Sequence, residues 1–215
     1  EDPVEYEMAK VNQKSINEFM GFSDYIRSFL RQNPDTILVG EIRDNDTAEI
    51  AIKASTTGHL VLSSLHSRSA IGTISRLRNL EVPNDNISSN LLGSIGQRLI
   101  RKICESCKEE TSPNEEIMNL FYNNTPKSKF HHGTGCSECN ETGFKGLMGV
   151  YELFFPNNEI STAIGAGVPT SEIRELATEN GFIPLVENAL EKVHKGLTTL
   201  DEVSMRIGPK FPHAD

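Results

Sequence analysis

The sequence predicts an α/β fold with a four-cysteine insertion and a small helical C-terminal part. Three observations lead there. Apolar runs at 36–39 and 59–65 are each followed by helical periodicity, all four cysteines fall within 104–146, and the residues beyond 147 hold a strand-like run followed by helix-start signals. At 215 residues and 37% hydrophobic content, the chain can bury one sizeable core and a smaller appendage.

Taken in order, Glu1-Asp2-Pro3-Val4-Glu5-Tyr6 reads as the end of a strand, so the chain is expected to begin in the middle of a fold. Ser23 to Gln32 places Tyr25, Ile26, Phe29 and Leu30 at helical spacing, and Pro34 stops the helix. Thr36-Ile37-Leu38-Val39, closed by Gly40, is the pattern of a strand buried on both faces of a parallel sheet. Asp46 with Glu49 forms a capping box for a helix running through Ser55, which Gly58 ends. A second buried strand covers His59 to Leu65, and helices are expected over about 70–80 and 87–103. Residues 104–146 read as a loop-rich insertion. Gly149 to Phe155 returns as a strand, followed by a small helical bundle with caps at Thr170 and Thr199, Glu202 standing at the capping-box position of the latter. The boundaries are therefore 1–103 for the α/β core, 104–146 for the tetracysteine segment and 147–215 for the C-terminal strand and helices.

The charge balance, 21 basic against 30 acidic residues for a net of −9, argues against a broad electrostatic grip on nucleic acid or anionic lipid. No run reaches the roughly 18 apolar residues of a membrane span, and Glu1 to Glu7 has neither the basic nor the apolar region of a secretory leader. A cytoplasmic location is expected.

Cys104-x-x-Cys107 and Cys136-x-x-Cys139 are two pairs separated by 28 residues. Each short loop lets both sulfurs face one ion, and four thiolates suit tetrahedral Zn²⁺. The alternatives are two disulfides or four unrelated thiols, and disulfides are disfavoured in a cytoplasmic chain. A segment so poor in apolar residues cannot fold by burial alone, so the ion would be structural. His131 and His132 are read as bystanders.

The strand ends carry acids. Thr36 to Val39 delivers Gly40-Glu41-Ile42-Arg43-Asp44 at its carboxyl end, where open α/β sheets bind ligands and where a Walker B acid holds Mg²⁺ in NTPases. Glu1-Asp2-Pro3-Val4-Glu5 supplies a second acidic strand end, and a third strand has His59 and His66 at its limits. Those two are seven residues apart, so in an extended strand they point to opposite faces and only one reaches a shared site. His59 better suits an ordinary surface histidine.

Glu1 to Tyr6, Arg31 to Asp44, Thr57 to His66 and Leu91 to Ile100 together resemble, in order and spacing, the Asp box, Walker B segment, His box and following motif of the type II secretion and type IV pilus assembly ATPases. The resemblance spans nearly the whole chain. It implies a partial RecA-like NTPase core, and the two cysteine pairs look like the zinc-binding insertion of the secretion and pilus-extension members, which retraction members typically lack. Carried over by residue, Glu5 resembles the glutamate that activates the attacking water, Glu41 the one that positions Mg²⁺ and water, and His66 the residue that senses the γ-phosphate. Arg27 and Arg31 match arginines at the nucleotide or subunit boundary. Phosphoryl transfer is mostly positioning and charge neutralisation, which suits these residue types.

One family element is missing: no G-x-x-x-x-G-K-[ST] occurs in these 215 residues, although the family has it N-terminal to the Asp box. The resemblance implies the C-terminal part of a hexameric motor ATPase that uses ATP, Mg²⁺ and Zn²⁺. It would sit on the cytoplasmic side of the inner membrane through platform and cytoplasmic-domain proteins of a secretion or pilus machine, without nucleic acid, and this segment alone would be inactive. The alternative from another class is a non-catalytic zinc module that binds a protein or nucleic-acid partner.

Overall fold

In the computed structural model, which describes residues 1–122 and 128–208, the elements follow one another as α1 (Phe22–Phe29), β1 (Thr36–Glu41), α2 (Asn45–Thr56), β2 (Leu60–Ser64), α3 (Gly72–Asn79), α4 (Asn84–Asn90) and β3 (Ser94–Ile103). Then come β4 (Lys108–Thr111), α5 (Glu115–Phe121), β5 (Phe130–Gly133), β6 (Phe144–Phe154), α6 (Asn158–Gly165), α7 (Thr170–Glu179), α8 (Leu185–His194) and α9 (Leu200–Arg206). They fall into two units, Glu1–Ser94 with Phe155–Ala177, and Ile95–Phe154 with Thr178–Asp215. The expected boundary at 103/104 lies inside the second unit. Residues 123–127 of the expected insertion and 209–215 of the expected C-terminal part lie outside the described residues.

In the first unit β1 and β2 pair in parallel, with Thr36 opposite Leu60 and Val39 opposite Ser63, and α2 forms the crossover that parallel strands require. The α1 helix starts where Gly21 N–H donates to the Asp24 carboxylate at 3.0 Å, and a 3-10 turn over Leu30–Gln32 ends with Asn33 in the left-handed region just before Pro34. The cap of α2 is Asp44, whose carboxylate accepts from Thr47 N–H at 2.8 Å, so the expected box on Asp46 is displaced by two residues and Asp46 instead meets the positive end of the helix dipole. Burial differs from expectation too. Ile37 and Val39 are buried, but Leu38, Leu60 and Leu62 stay about half exposed, because no described element covers the face that bears them. Ile71, Ile74, Ile87, Ile164 and Ile173, from α3, α4, α6, α7 and the α3 entry, fill the remaining core, and α4 packs on α6.

The second unit overturns one expected helix. Residues 87–103 do not form a single helix: α4 ends at Asn90 and Ser94–Ile103 is a strand paired with β6. The reason lies in Gly96 and the β-branched Ile95, Ile100 and Ile103, which favour an extended chain. A Cβ on Gly96 would come within 2.7 Å of the buried Glu152 side chain on β6, so glycine permits the close strand approach. The core of this unit joins Ile100, Met118, Phe121, Phe130, Val150, Leu190, Val193, Leu200 and Val203. The expected loop-rich segment contains β4 and β5, paired antiparallel with Lys108 opposite Gly133, and α5. The expected C-terminal bundle is divided as well, since α6 and most of α7 belong to the first unit and α8 and α9 to the second.

Candidate functional site

Parallel pairing sets Glu41 opposite Ser64 after a register shift at Val39/Glu41, and the junction is closed by Ile42 N–H donating to Ser64 O at 3.0 Å and Ser64 Oγ donating to Gly40 O at 2.6 Å. The two carboxyl ends thereby bring Glu41 and His66 together. Glu41, only 16% exposed, meets His66 Nε2 through Oε1 at 2.7 Å and accepts from Arg43 Nε through Oε2 at 2.5 Å. Arg43 also donates from Nη2 to Asp2 at 2.9 Å. Those two carboxylates hold the guanidinium pKa above its usual value, Glu41 contributing most.

The N-terminal segment reaches this point because Gly40 leaves room for it: a Cβ there would lie 3.1 Å from Glu1 Cα and 3.4 Å from the Phe22 ring. A cavity of about 250 Å³ results, lined by Asp2, Glu5, Gly40, Glu41, Arg43, Ser64 and His66 among others. Glu5 makes no ion pair among the described residues. Its carboxylate lines the same cavity as those of Asp2 and Glu41, but among the described residues these acids do not converge closely enough to form a ready-made cation site. Arg27 and Arg31 are not part of this cavity; both are exposed, Arg27 on the last turn of α1 and Arg31 in the turn that follows. His59 serves its own helix end, its Nδ1 lying 3.0 Å from Ala54 O and 3.1 Å from Thr57 Oγ1.

Asp2 and Arg43 lie in the two segments that the sequence marks as acidic strand ends, but the sequence assigns neither a role. A signal was present, because residues two apart in an extended chain share a face and Glu41 and Arg43 have that spacing. Asp2 gives no comparable signal, since its partner lies 41 residues away.

In the second unit the four cysteine sulfurs lie within 4.8 Å of one another. Cys104 to Cys136 and Cys107 to Cys139 are 3.9 Å, and Cys136 to Cys139 is 3.8 Å. Sulfurs of a tetrahedral ion with bonds of about 2.3 Å stand about 3.8 Å apart, whereas a disulfide needs about 2.05 Å, so the donor set fits one thiophilic ion and not two bridges. Burial pushes the Cys107 thiol up to about 12. Burial acts the same way on Cys139, but N–H donors from Cys136 and Gly143, both at 3.3 Å, outweigh it and bring that thiol down to about 6. Gly143 can approach because Gly133 lacks a Cβ; one there would be 2.1 Å from Gly143 O. His131 and His132 do not join the sulfurs, and their Nδ1 atoms are buried without a hydrogen-bond partner among the described residues.

Three comparisons bear on these sites. The family model described as "Type II/IV secretion system protein" matches residues 1–205. The chain is 44% identical over 211 residues to the type IV pilus assembly ATPase PilB of Thermus thermophilus, covering 96% of this chain and 24% of that one. It is 39% identical over 214 residues to the type II secretion system ATPase E of Vibrio cholerae, covering 96% of this chain and 41% of that one. It thus spans roughly a quarter to two fifths of the length of these relatives. Among solved structures, the pilus retraction motor PilT with bound ADP superposes with a TM-score of 0.69 at 28% identity, over 99% of this chain and 52% of that one. The ATPase DotB of Legionella pneumophila, at 21% identity and a TM-score of 0.62 over 87% of this chain and 43% of that one, shares the fold. Both neighbours bear out the expected α/β fold.

Proposed function

The chain belongs to the type II/IV secretion system protein family, and on that premise we propose that it is the C-terminal part of a hexameric cytoplasmic motor ATPase that drives pseudopilus or pilus assembly and protein export. The observation that supports this most is the cluster at the carboxyl ends of β1 and β2, where Arg43 forms ion pairs with Glu41 and Asp2 and His66 Nε2 contacts Glu41, all beside Glu5.

In this reading ATP supplies the phosphoryl group and Mg²⁺ neutralises charge on the phosphates when bound. Glu41, whose Oε2 is held by Arg43, keeps its carboxylate oriented and would position Mg²⁺ and a water. Glu5 accepts a proton from the attacking water, a role that suits a carboxylate without another ion pair. His66, with 89% of its side chain exposed, is free to turn from Glu41 towards a phosphate oxygen. Arg27 and Arg31 serve a neighbouring copy or the nucleotide edge, which fits their exposure. The phosphate-cradling loop comes from residues preceding Glu1 in the parent protein. The four cysteines hold one structural Zn²⁺. Partners are further copies of the protein and platform and cytoplasmic-domain proteins of the inner membrane; nucleic acid is disfavoured by the net charge of −9. No described helix is long and apolar enough to cross a membrane.

Mg²⁺-dependent ATP hydrolysis by the full-length protein tests the reading. Glu5→Gln and Glu41→Gln should each lower kcat by about a hundredfold or more while ATP binding survives. Near-normal turnover of either variant would remove that residue from its role, and no hydrolysis by the parent would end the proposal.

A further inference from the structure

Arg43 is tied to four parts of the first unit. Its Nε donates to Glu41 on β1 at 2.5 Å and its Nη2 to Asp2 on the N-terminal segment at 2.9 Å. Its guanidinium lies 5.9 Å from the centre of the Phe22 ring on α1, and its backbone carbonyl accepts from Arg76 Nη2 on α3 at 3.1 Å. Among the side chains lining the cavity it is the one that is permanently cationic, facing Glu1, Asp2, Glu5 and Glu41. We propose that Arg43 is a positioning residue for this site: its guanidinium fork spans Glu41 and Asp2, and so fixes the N-terminal acidic segment at a set distance from the end of β1.

Three features support this over an incidental surface pair. First, among the described residues no backbone hydrogen bond joins the two segments that carry these carboxylates, so the fork links them directly. Second, the two nitrogens serve different acids at once, which a planar fork can do and a lysine point charge cannot do with fixed geometry. Third, both ends of the residue have partners, the half-exposed side chain in the two acids and the Phe22 ring and the carbonyl in Arg76. Glu5 sits on the same segment as Asp2, three residues on, and its place in the cavity therefore depends on where that segment is held. Arg43 acts through these acids and is not itself required to touch substrate.

The inference rests on the ATPase reading for its kinetic arm but not for its structural one. In the 215-residue chain, without nucleotide, Arg43→Ala should speed amide exchange over residues 1–16 by about threefold or more and leave 36–64 unchanged. In the full-length ATPase, Arg43→Ala should lower kcat about tenfold or more with KM for ATP within about threefold, and Arg43→Lys should recover only a minor part of the loss. In an Asp2→Asn background, Arg43→Ala should add less than about twofold, because the link is already cut. Unchanged exchange in Arg43→Ala overturns the proposal, as does wild-type kcat in that variant when Glu41→Gln is inactive, or full recovery by Arg43→Lys. Should Arg43→Ala fail to fold, Arg43→Lys carries the same two measurements. If Glu41→Gln itself remains active, the ATPase reading has failed, and the exchange measurement alone decides the role of Arg43.

Discussion

Glu202 is 1% exposed, yet it is a carboxylate. It stands at the position from which a capping box would reach back to Thr199, and only half of that box forms: Thr199 Oγ1 accepts from Glu202 N–H at 3.0 Å, while the carboxylate turns to Arg101. There it accepts from the Arg101 backbone N–H at 3.0 Å, from Nε at 2.8 Å and from Nη2 at 2.5 Å, with the guanidinium stacked 4.1 Å from the Phe144 ring centre. Burial alone would raise this carboxyl's pKa, but the bonds from Arg101 outweigh it and hold the group below its ordinary value. A depressed folded-state pKa means the contribution to stability is present above the unfolded value of about 4.3 and is lost as pH falls through the folded one. Glu202→Gln should therefore cost about 2 kcal/mol at pH 7, below the range for a fully buried pair because Arg101 is partly exposed, and the deficit should shrink on acidification. Urea unfolding of both proteins at pH 7 and near pH 3.5 checks this; a gap independent of pH would mean that the pair does not titrate with folding.

Among the elements, the cysteine pairs make the sharpest prediction. The two 3-10 turns, Glu105–Cys107 and Ser137–Cys139, converge because Gly133 and Gly143 touch backbone to backbone, an arrangement with little apolar burial of its own. Cys104→Ser or Cys136→Ser should therefore disorder the two cysteine turns, about residues 104–107 and 136–143, while Met118, Phe121 and Phe130 stay in the core of the unit and β1–α2–β2 is spared, and the unmutated protein, purified reduced and without chelator, should contain about one Zn²⁺ per chain. A stoichiometry near zero by metal analysis would sink the idea. These pairs were legible because ligand spacing is local. So were β1 and β2, whose apolar runs are bounded by Gly40 and Gly58. The β3 strand was not: Leu91 to Ile103 offers apolar residues at both helical and alternating spacing, and pairing with β6, more than 40 residues on, decides between them. The same non-locality hid the link from Arg43 to Asp2, whereas Glu41 and His66 could be read from strands that each declare their own end.

At the scale of the whole molecule, charge limits what this chain does alone. It carries a net of −9, and its candidate site concentrates Glu1, Asp2, Glu5 and Glu41 around one cavity against Arg43 and His66. Arg43 is already committed to two of those acids. Mg·ATP brings a tetra-anionic phosphate chain that ATPases of this kind meet with a glycine-rich loop, a lysine and a row of backbone N–H donors, and no such motif occurs in these 215 residues. The acids cannot cradle the β- and γ-phosphates, and their repulsion of a polyphosphate is opposed in this cavity by one arginine that is already engaged. The isolated chain should therefore bind Mg·ATP weakly and hydrolyse it negligibly, while the longer parent does both. Calorimetric titration is the direct check: a dissociation constant at or below about 10 μM, roughly 7 kcal/mol of binding, would require a complete phosphate site within these residues and would overturn the division of labour proposed for them.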